Sequence, residues 1–339
     1  MRNVTMRDIG SELGVSAVTV SKALAGKAGV GKELRARIVA KAGELGYVNP
    51  SSAARENSSF DIGILVADRF FGGYTFYSHM YKLLVQRLTE AGHYGILEVL
   101  AEDSENSLRL PAMVRSSKVD AIVVLGQLDR EYLKVLSQGP PPLVFLDFYD
   151  DFLQADAVVG DNVYGCKRLT GHLIKLGHRD IGFIGTRKAT TSIMDRFLGY
   201  YNAMLSSDLP IRAECIINDR DEHGAFIPLA LPDRLPTAFV CNCDVIALQL
   251  IDQLAETGVR VPEDVSVVGF DDYTINGSHT PALSTFRINQ EDMAAAAVKL
   301  VVARCNGVPP QNGRVVIGGH PVYRDSVRAL NDMKSAAYR

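Results

Sequence analysis

The chain has 339 residues, of which 47 % are hydrophobic and 22 % charged, with a formal net charge of −3. That balance excludes a disordered or collagen-like chain, and no run approaches the ~18 apolar residues of a membrane span, so no membrane partner is expected. Five cysteines, odd in number and scattered, fit the reduced thiols of a cytoplasmic protein rather than a disulfide framework.

In chain order, the first predicted unit is residues 5–26, TMRDIGSELGVSAVTVSKALAG, which has the pattern of a helix-turn-helix. Thr5 caps a first helix whose inner face is Met6, Ile9, Gly10 and Leu13. Gly14 supplies the turn and Val15 plugs its corner. Ser16 caps a second helix with Val20, Ala23 and Leu24 inside, which leaves Ala17, Val18, Ser21 and Lys22 pointing outward. A recognition helix reads base edges with such N-terminal residues. The hydroxyls of Ser16, Thr19 and Ser21 suit phosphate oxygens. A third helix, 32–45, turns Leu34, Ile38, Ala42 and Leu45 inward. These residues alone also fit a three-helix bundle without a ligand. Charge distribution favours nucleic acid: residues 1–59 hold nine Lys/Arg against five Asp/Glu, whereas the remainder holds 27 against 34. An N-terminus committed to a folded helix is not a signal peptide.

Residues 47–60, YVNPSSAARENSSF, interrupt the apolar rhythm and read as a linker. Beyond it, β-branched runs alternate with amphipathic helices, the signature of parallel sheets covered on both faces. Strands are predicted at 61–67, 94–100, 120–126, 142–148, 157–160, 180–185, 237–242, 265–270 and 284–288. Helices are predicted at 74–91, 162–177, 191–206, 244–258 and 290–305. The sequence contains no visible internal repeat, yet this number of βα units exceeds one open sheet and points to two α/β lobes.

The stretch TMRDIGSELGVSAVTVSKAL, followed by GYVNPSSAAR, closely resembles the start of the lactose-repressor/galactose-repressor (LacI/GalR) family. The segments 160–185, RFLGY at 196–200 and VPEDVSVVGFDDY at 261–273 resemble motifs of the same family's body. The resemblance implies an all-α helix-turn-helix headpiece (1–46), a hinge (47–60) and a periplasmic-binding-protein-like effector and dimerisation body (61–330). That body has two doubly wound parallel-sheet lobes, about 61–160 with 290–322 and about 161–289 with 323–330, before a tail at 331–339. The tail lacks heptads, so a homodimer on a near-palindromic operator is expected. By the same resemblance Thr5, Ser16, Thr19 and Ser21 meet phosphates, and Ala17, Val18 and Lys22 meet bases. Asn49, Ser52, Ala53 and Arg55 are the corresponding hinge contacts. The chain departs where Arg is common (Lys22), where Asn is common (Ala25), and where a minor-groove Leu wedge stands as Glu56. A carboxylate cannot enter a base stack, so weaker operator bending than usual for the family is expected.

For the body, the resemblance implies a small-molecule effector of the saccharide or glycoside class held between the lobes. Asp68, Phe70 and Phe71, with Arg69 among them, follow the first strand. Asp147 ends PLVFLDF. Arg196 clasps ligand, with Ser192 one turn before it. Asn242, Cys243 and Asp271 complete the set. Cys243 stands where Asn is frequent and Ile288 where Gln is, so no relative's sugar can be copied onto the chain. No phosphate loop, nucleophile elbow or His-x-His spacing occurs, and Cys241-x-Cys243 has no completing ligand. Neither catalysis, a metal nor a cofactor is therefore expected. The rivals left open are a sugar-acting enzyme and a transport-type sugar-binding protein built on the same body.

Overall fold

Capping chemistry sets the first helix of the head. In the computed structural model, which describes residues 5–24, 29–44, 59–71, 76–221, 224–272 and 281–330, Thr5 and Asp8 form a reciprocal capping box at the start of α1 (Met6–Leu13). Thr5 N–H donates to Asp8 Oδ2 at 2.7 Å. Gly14 ends α1 in the left-handed region at φ 67°, where a side chain would be strained. α2 (Ala17–Leu24) and α3 (Lys32–Glu44) close the unit over Ile9, Val20, Ala23, Ile38 and Ala42. The four inner residues expected of α1 and the three of α2 all lie in or against this core, apart from backbone-only Gly10, which is itself buried.

The chain divides into two compact units, Met1–Ser59 and Phe60–Arg339. The second carries twelve strands among its described residues: β1 (Asp61–Ala67), β2 (Tyr94–Leu100), β3 (Ala121–Leu125), β4 (Leu143–Leu146), β5 (Asp156–Gly160), β6 (Ile181–Ile184), β7 (Ile216–Ile217), β8 (Ala238–Cys241), β9 (Ser266–Val268), β10 (Thr285–Ile288), β11 (Arg314–Ile317) and β12 (Gly319–Val322). Its helices are α4 (Asp68–Phe71), α5 (Phe76–Glu90), α6 (Glu102–Asn106), α7 (Ala112–Arg115), α8 (Arg130–Ser137), α9 (Asn162–Lys175), α10 (Thr191–Leu205), α11 (Asp244–Glu256) and α12 (Gln290–Cys305).

Two parallel sheets form, as the alternating pattern predicts. One has the order β11-β5-β4-β3-β1-β2 and the other β7-β6-β8-β9, while β10 and β12 pair antiparallel beside them. Strands buried on both faces explain the near-continuous apolar runs: β3 and β4 expose no residue. α5 and α12 cover one face of the first sheet, through Met80, Leu84, Leu88, Met293 and Ala297. Met113, Tyr132, Leu133 and Leu136 cover the other. In the second sheet α9 and α10 lie on one side and α11 on the other. The chain leaves the first sheet after β5 and returns to it through α12 and β11. Residues 324–330 then run back along the second, where Val267 N–H donates to the Ser326 carbonyl.

Each of the nine predicted strands and five predicted helices has a counterpart, and β7, β11, β12, α8 and the short helices were not foreseen. Residues 331–339 and most of the linker lie outside the described residues.

α9 and α10 meet at Gly199, where the absence of a side chain lets the two backbones approach. A Cβ there would lie 2.9 Å from Cys166 Cβ and 3.0 Å from the Lys167 nitrogen, and inside the radius of the Val163 carbonyl oxygen. Two of these neighbours are backbone and cannot yield. Gly199→Ala should therefore destabilise the body by about 2 kcal/mol, the usual scale of overpacking, read as a lower urea midpoint at unchanged slope. A midpoint equal to that of the parent chain would show that the two helices can separate freely.

Candidate functional site

In the head, α2 presents Val18, Ser21 and Lys22 to solvent, with Val18 64 % exposed, while Ala17 and Thr19 are half-buried. An isolated, two-thirds-exposed valine on the first turn of a capped helix gains nothing for folding. Ser16 and Thr19 are engaged locally. Thr19 N–H donates to Ser16 Oγ at 3.1 Å, and the two hydroxyls lie 2.9 Å apart. Ser16 is thus the N-cap, and a phosphate oxygen meeting this pair meets a pre-oriented hydroxyl pair. Thr5 is exposed but already holds Asp8. Asn49, Ser52, Ala53, Arg55, Ala25 and Glu56 lie outside the described residues.

In the body, strand ends of both sheets converge on one buried polar group. Arg196, on α10, is 5 % exposed. Its Nε donates to Asn162 Oδ1 at 2.9 Å and its Nη1 to the Asn242 carbonyl at 2.6 Å. Its Nη2 lies 3.0 Å from Asp271 Oδ1, and its guanidinium stacks 4.1 Å above the Phe270 ring. The N–H is not aligned on that oxygen, so Asp271 Oδ1 has an ionic neighbour but no hydrogen-bond donor. Asp147, after β4, accepts the Tyr77 hydroxyl on Oδ2 at 2.9 Å, and its Oδ1 has no partner. Asn162 Nδ2 and Asn242 Oδ1 are buried without partners as well. Unsatisfied buried polar atoms are costly, so Asp147 Oδ1 and Asn162 Nδ2, orphaned in the surroundings of one buried arginine ion pair, mark a place prepared for a polar ligand.

Backbone and protonation follow the same logic. Asp147 and Asp271 stand in the left-handed region at φ 70° and 107°, a strained conformation for an aspartate. Burial pushes the Asp271 carboxyl up to about 7 despite the opposing pull of Arg196. Burial also raises Asp147, against Arg196 and the Tyr77 hydrogen bond. The Cys243 thiol is pushed up to about 12 by burial and is inert as a nucleophile.

The other predicted effector residues divide. Ser192 is buried and bonded to the Thr190 hydroxyl at 2.9 Å, one turn before Arg196. Cys243 is buried at the N-cap position of α11 and makes no side-chain cap bond there. Asn242 turns its amide to Asp219 Oδ2 at 2.9 Å and presents only its carbonyl to Arg196. The Phe70 ring lies tilted against Tyr77 with centroids 4.9 Å apart, but Phe71 turns edge-on to Tyr81, and Asp68 is exposed. Tyr77 is the participant that sequence reasoning missed, because it sits within the regular pattern of α5. Asn162 was missed likewise.

Outward from this group lies a cavity of about 450 Å³ between the two sheets' strand ends. Phe70, Arg69 and Gln127 line it from the first lobe, and Thr186, Thr190 and Arg220 from the second. Its buried floor residue, Glu105, is held by Arg69 at 2.5 Å and by the Asp129 N–H at 2.6 Å. Among the described residues no three His, Cys, Asp or Glu side chains gather as a metal cluster, and no helix is long and apolar enough to cross a membrane.

Comparison with known proteins adds to this geometry. Residues 5–50 match the family of bacterial regulatory proteins, lacI family, and residues 170–327 match the periplasmic binding protein-like domain. The HTH-type transcriptional repressor PurR of Pasteurella multocida (strain Pm70) is 28 % identical over 336 residues, covering 96 % of this chain and 99 % of the relative. Among solved structures, a complex of the transcriptional regulator CelR with cellobiose superposes with a TM-score of 0.68 at 23 % identity, over 96 % of this chain and all of the other. The lac repressor dimer bound to operator and the anti-inducer ONPF superposes with a TM-score of 0.65 at 20 % identity, over 97 % of this chain and all of the other.

Proposed function

Because the chain belongs to the lacI family of bacterial regulatory proteins, we propose that it is a transcriptional repressor whose operator affinity is set by a small saccharide or glycoside bound between its lobes. The observation that carries this reading is the buried Arg196–Asp271 ion pair at the strand ends, flanked by Asp147, whose Oδ1 has no partner. Carboxylate oxygens accept from hydroxyls, and the planar guanidinium fork donates to them. The relative named as a repressor and the neighbour holding cellobiose support the reading. A flat nitrogen heterocycle is the second reading, favoured by the Phe70–Tyr77 ring pair beside a single free Asp147 oxygen.

On this reading α2 lies in the major groove. Val18 meets a thymine methyl, Lys22 a guanine edge, and Ser16 with Thr19 a phosphate. Two copies act together. Phe226, 52 % exposed, projects beside Val245 and Leu248 of α11 and supplies an apolar surface for a homodimer. A ligand moves operator affinity only through its differential affinity for two lobe arrangements, typically ~1–3 kcal/mol.

Fluorescence anisotropy tests the first half of the proposal. Duplex DNA from upstream of the chain's own gene is titrated against a scrambled duplex across a salt series. A specificity ratio of ~10³ or more with a steep salt slope is expected. Equal weak binding to both duplexes, and to duplexes selected from a random pool, would overturn it. Thermal-shift screening of sugars and nucleobases then separates the two effector readings by which class raises the melting temperature.

A further inference from the structure

We infer that Tyr149 and Asp195 form a clasp between the lobes that holds the cleft closed before any effector arrives. The inference rests on the effector reading of the cleft and concerns how that site is regulated. Tyr149 follows β4 in the first lobe, and Asp195 lies on α10 in the second. The Tyr149 hydroxyl donates across the gap to Asp195 Oδ1 at 3.1 Å. Two further bonds run along the same rim. Tyr149 N–H donates to Thr191 Oγ1 at 3.4 Å, and Thr191 N–H donates to Gln127 Oε1 at 2.7 Å. A first-lobe side-chain amide oxygen therefore caps the start of a second-lobe helix, satisfying an N–H donor that has no partner inside the helix.

The tyrosine is braced from its own side. Arg314, on the edge strand β11, places its guanidinium 4.2 Å over the Tyr149 ring. Burial raises the Asp195 carboxyl, and the Tyr149 hydrogen bond and the nearby Arg314 cation oppose that rise.

Position gives the clasp its consequence. Tyr149 stands two residues from Asp147, and Asp195 immediately precedes Arg196. Successive residues of a helix point about 100° apart, so Asp195 meets Tyr149 while Arg196 turns to Asn162 and Asn242 in the buried polar group. The clasp thus joins the two segments that carry the cleft's charged groups, yet touches neither Asp147 nor Arg196 by any hydrogen bond. Closure of the lobes and placement of the ligand groups become one motion. An effector entering this cleft meets an arrangement already favoured, and only the difference between clasped and unclasped states is available for signalling.

The test measures the distance between lobes without effector or DNA. Spin labels are placed at Ser137→Cys and Ser206→Cys, both exposed, in a chain carrying Cys305→Ser and diluted with unlabelled chain. Cys166, Cys215, Cys241 and Cys243 are buried and do not compete for label. Tyr149→Phe keeps the ring under Arg314 and removes only the donor. It should raise the ratio of the longer to the shorter distance about tenfold, the factor equivalent to ~1.4 kcal/mol and near the lower end for a hydrogen bond to a charged acceptor. Asp195→Ala should do the same, Asp195→Asn should stay close to the parent because its carbonyl still accepts, and Tyr149→Phe with Asp195→Ala should add nothing further. Matching thermal melts of the folded variants keep the comparison valid. A Tyr149→Phe distribution that superposes on the parent, or additive effects in the double variant, would overturn the clasp. Because no ligand enters the measurement, that outcome is separate from failure of the effector reading, which the Arg196 substitution below tests.

Discussion

Arg196→Ala should abolish the effector response and lower the stability of the body by about 3 kcal/mol, within the range for breaking a buried ion pair. The side chain satisfies Asn162 Oδ1 and the Asn242 carbonyl and neutralises Asp271, all buried. Alanine leaves those acceptors unpaired and a carboxyl without its counter-ion. Part of the loss is absorbed because Asp271, already raised to about 7, takes up a proton more readily once the cation has gone. Arg196→Lys preserves the charge but loses the planar fork, and a lysine cannot serve Nε, Nη1 and Nη2 partners at once. It should lose less stability than Arg196→Ala, because the counter-ion of Asp271 is kept, and still lose most of the response. Urea unfolding reads the first effect. The change in operator affinity on adding the sugar or base identified by thermal shift reads the second. A full response in both variants would remove Arg196 from the site. A lost response in Arg196→Lys that is still fully folded at the assay temperature would assign the arginine to the ligand rather than to folding alone.

What the sequence made legible depended on whether the signal was local. The capping pair Thr5–Asp8, the left-handed Gly14 and the inward triad of α2 lie within a few residues of each other, and the head follows from them. β1, β3 and β4 announce themselves because buried parallel strands must be apolar on both faces. β11 and β12 do not, being four residues each, without a buried residue in either, and separated by Gly318. α8 carried a signal that went unread: Asp129 caps it, and Tyr132, Leu133 and Leu136 share its buried side. Arg196, Asp147 and Asp271 were legible only through family resemblance, since nothing in their spacing places them around one point. Tyr77 lay hidden in the face of α5, and its role appears only when its hydroxyl is found on Asp147. The Tyr149–Asp195 bond is the extreme case. Its two residues belong to different lobes and obey different local rules, so only the folded geometry pairs them.

Affinity for a hydroxyl-donating effector should fall as pH drops below about 7, by up to about tenfold per unit for one carboxyl. Asp271 faces Arg196, Asp147, Arg220, Cys166 and Cys243, and burial outweighs the favourable pull of the two arginines. Protonated Asp271 cannot accept at both oxygens, so the bound state favours the ionised form. Binding near neutrality must then release a proton, and the released fraction should vanish above the raised value. Stability runs the opposite way. An aspartate with an ordinary unfolded value near 3.9 and a raised folded value binds more protons when folded. Its contribution is therefore greatest at low pH and is lost as pH rises from about 4 to about 7. Between about pH 5 and 7 the cleft thus becomes a better receptor while this group costs the fold more. Asp147, raised in the same direction, steepens both trends. Titration calorimetry in buffers of different ionisation heat counts the protons directly. Asp271→Asn should bind more weakly and with a shallower pH profile, retaining only the part due to Asp147. A parent profile flat across this range would mean that the effector meets Asp271 in its neutral form, as a donor rather than an acceptor, and would favour a heterocyclic acceptor over a sugar hydroxyl.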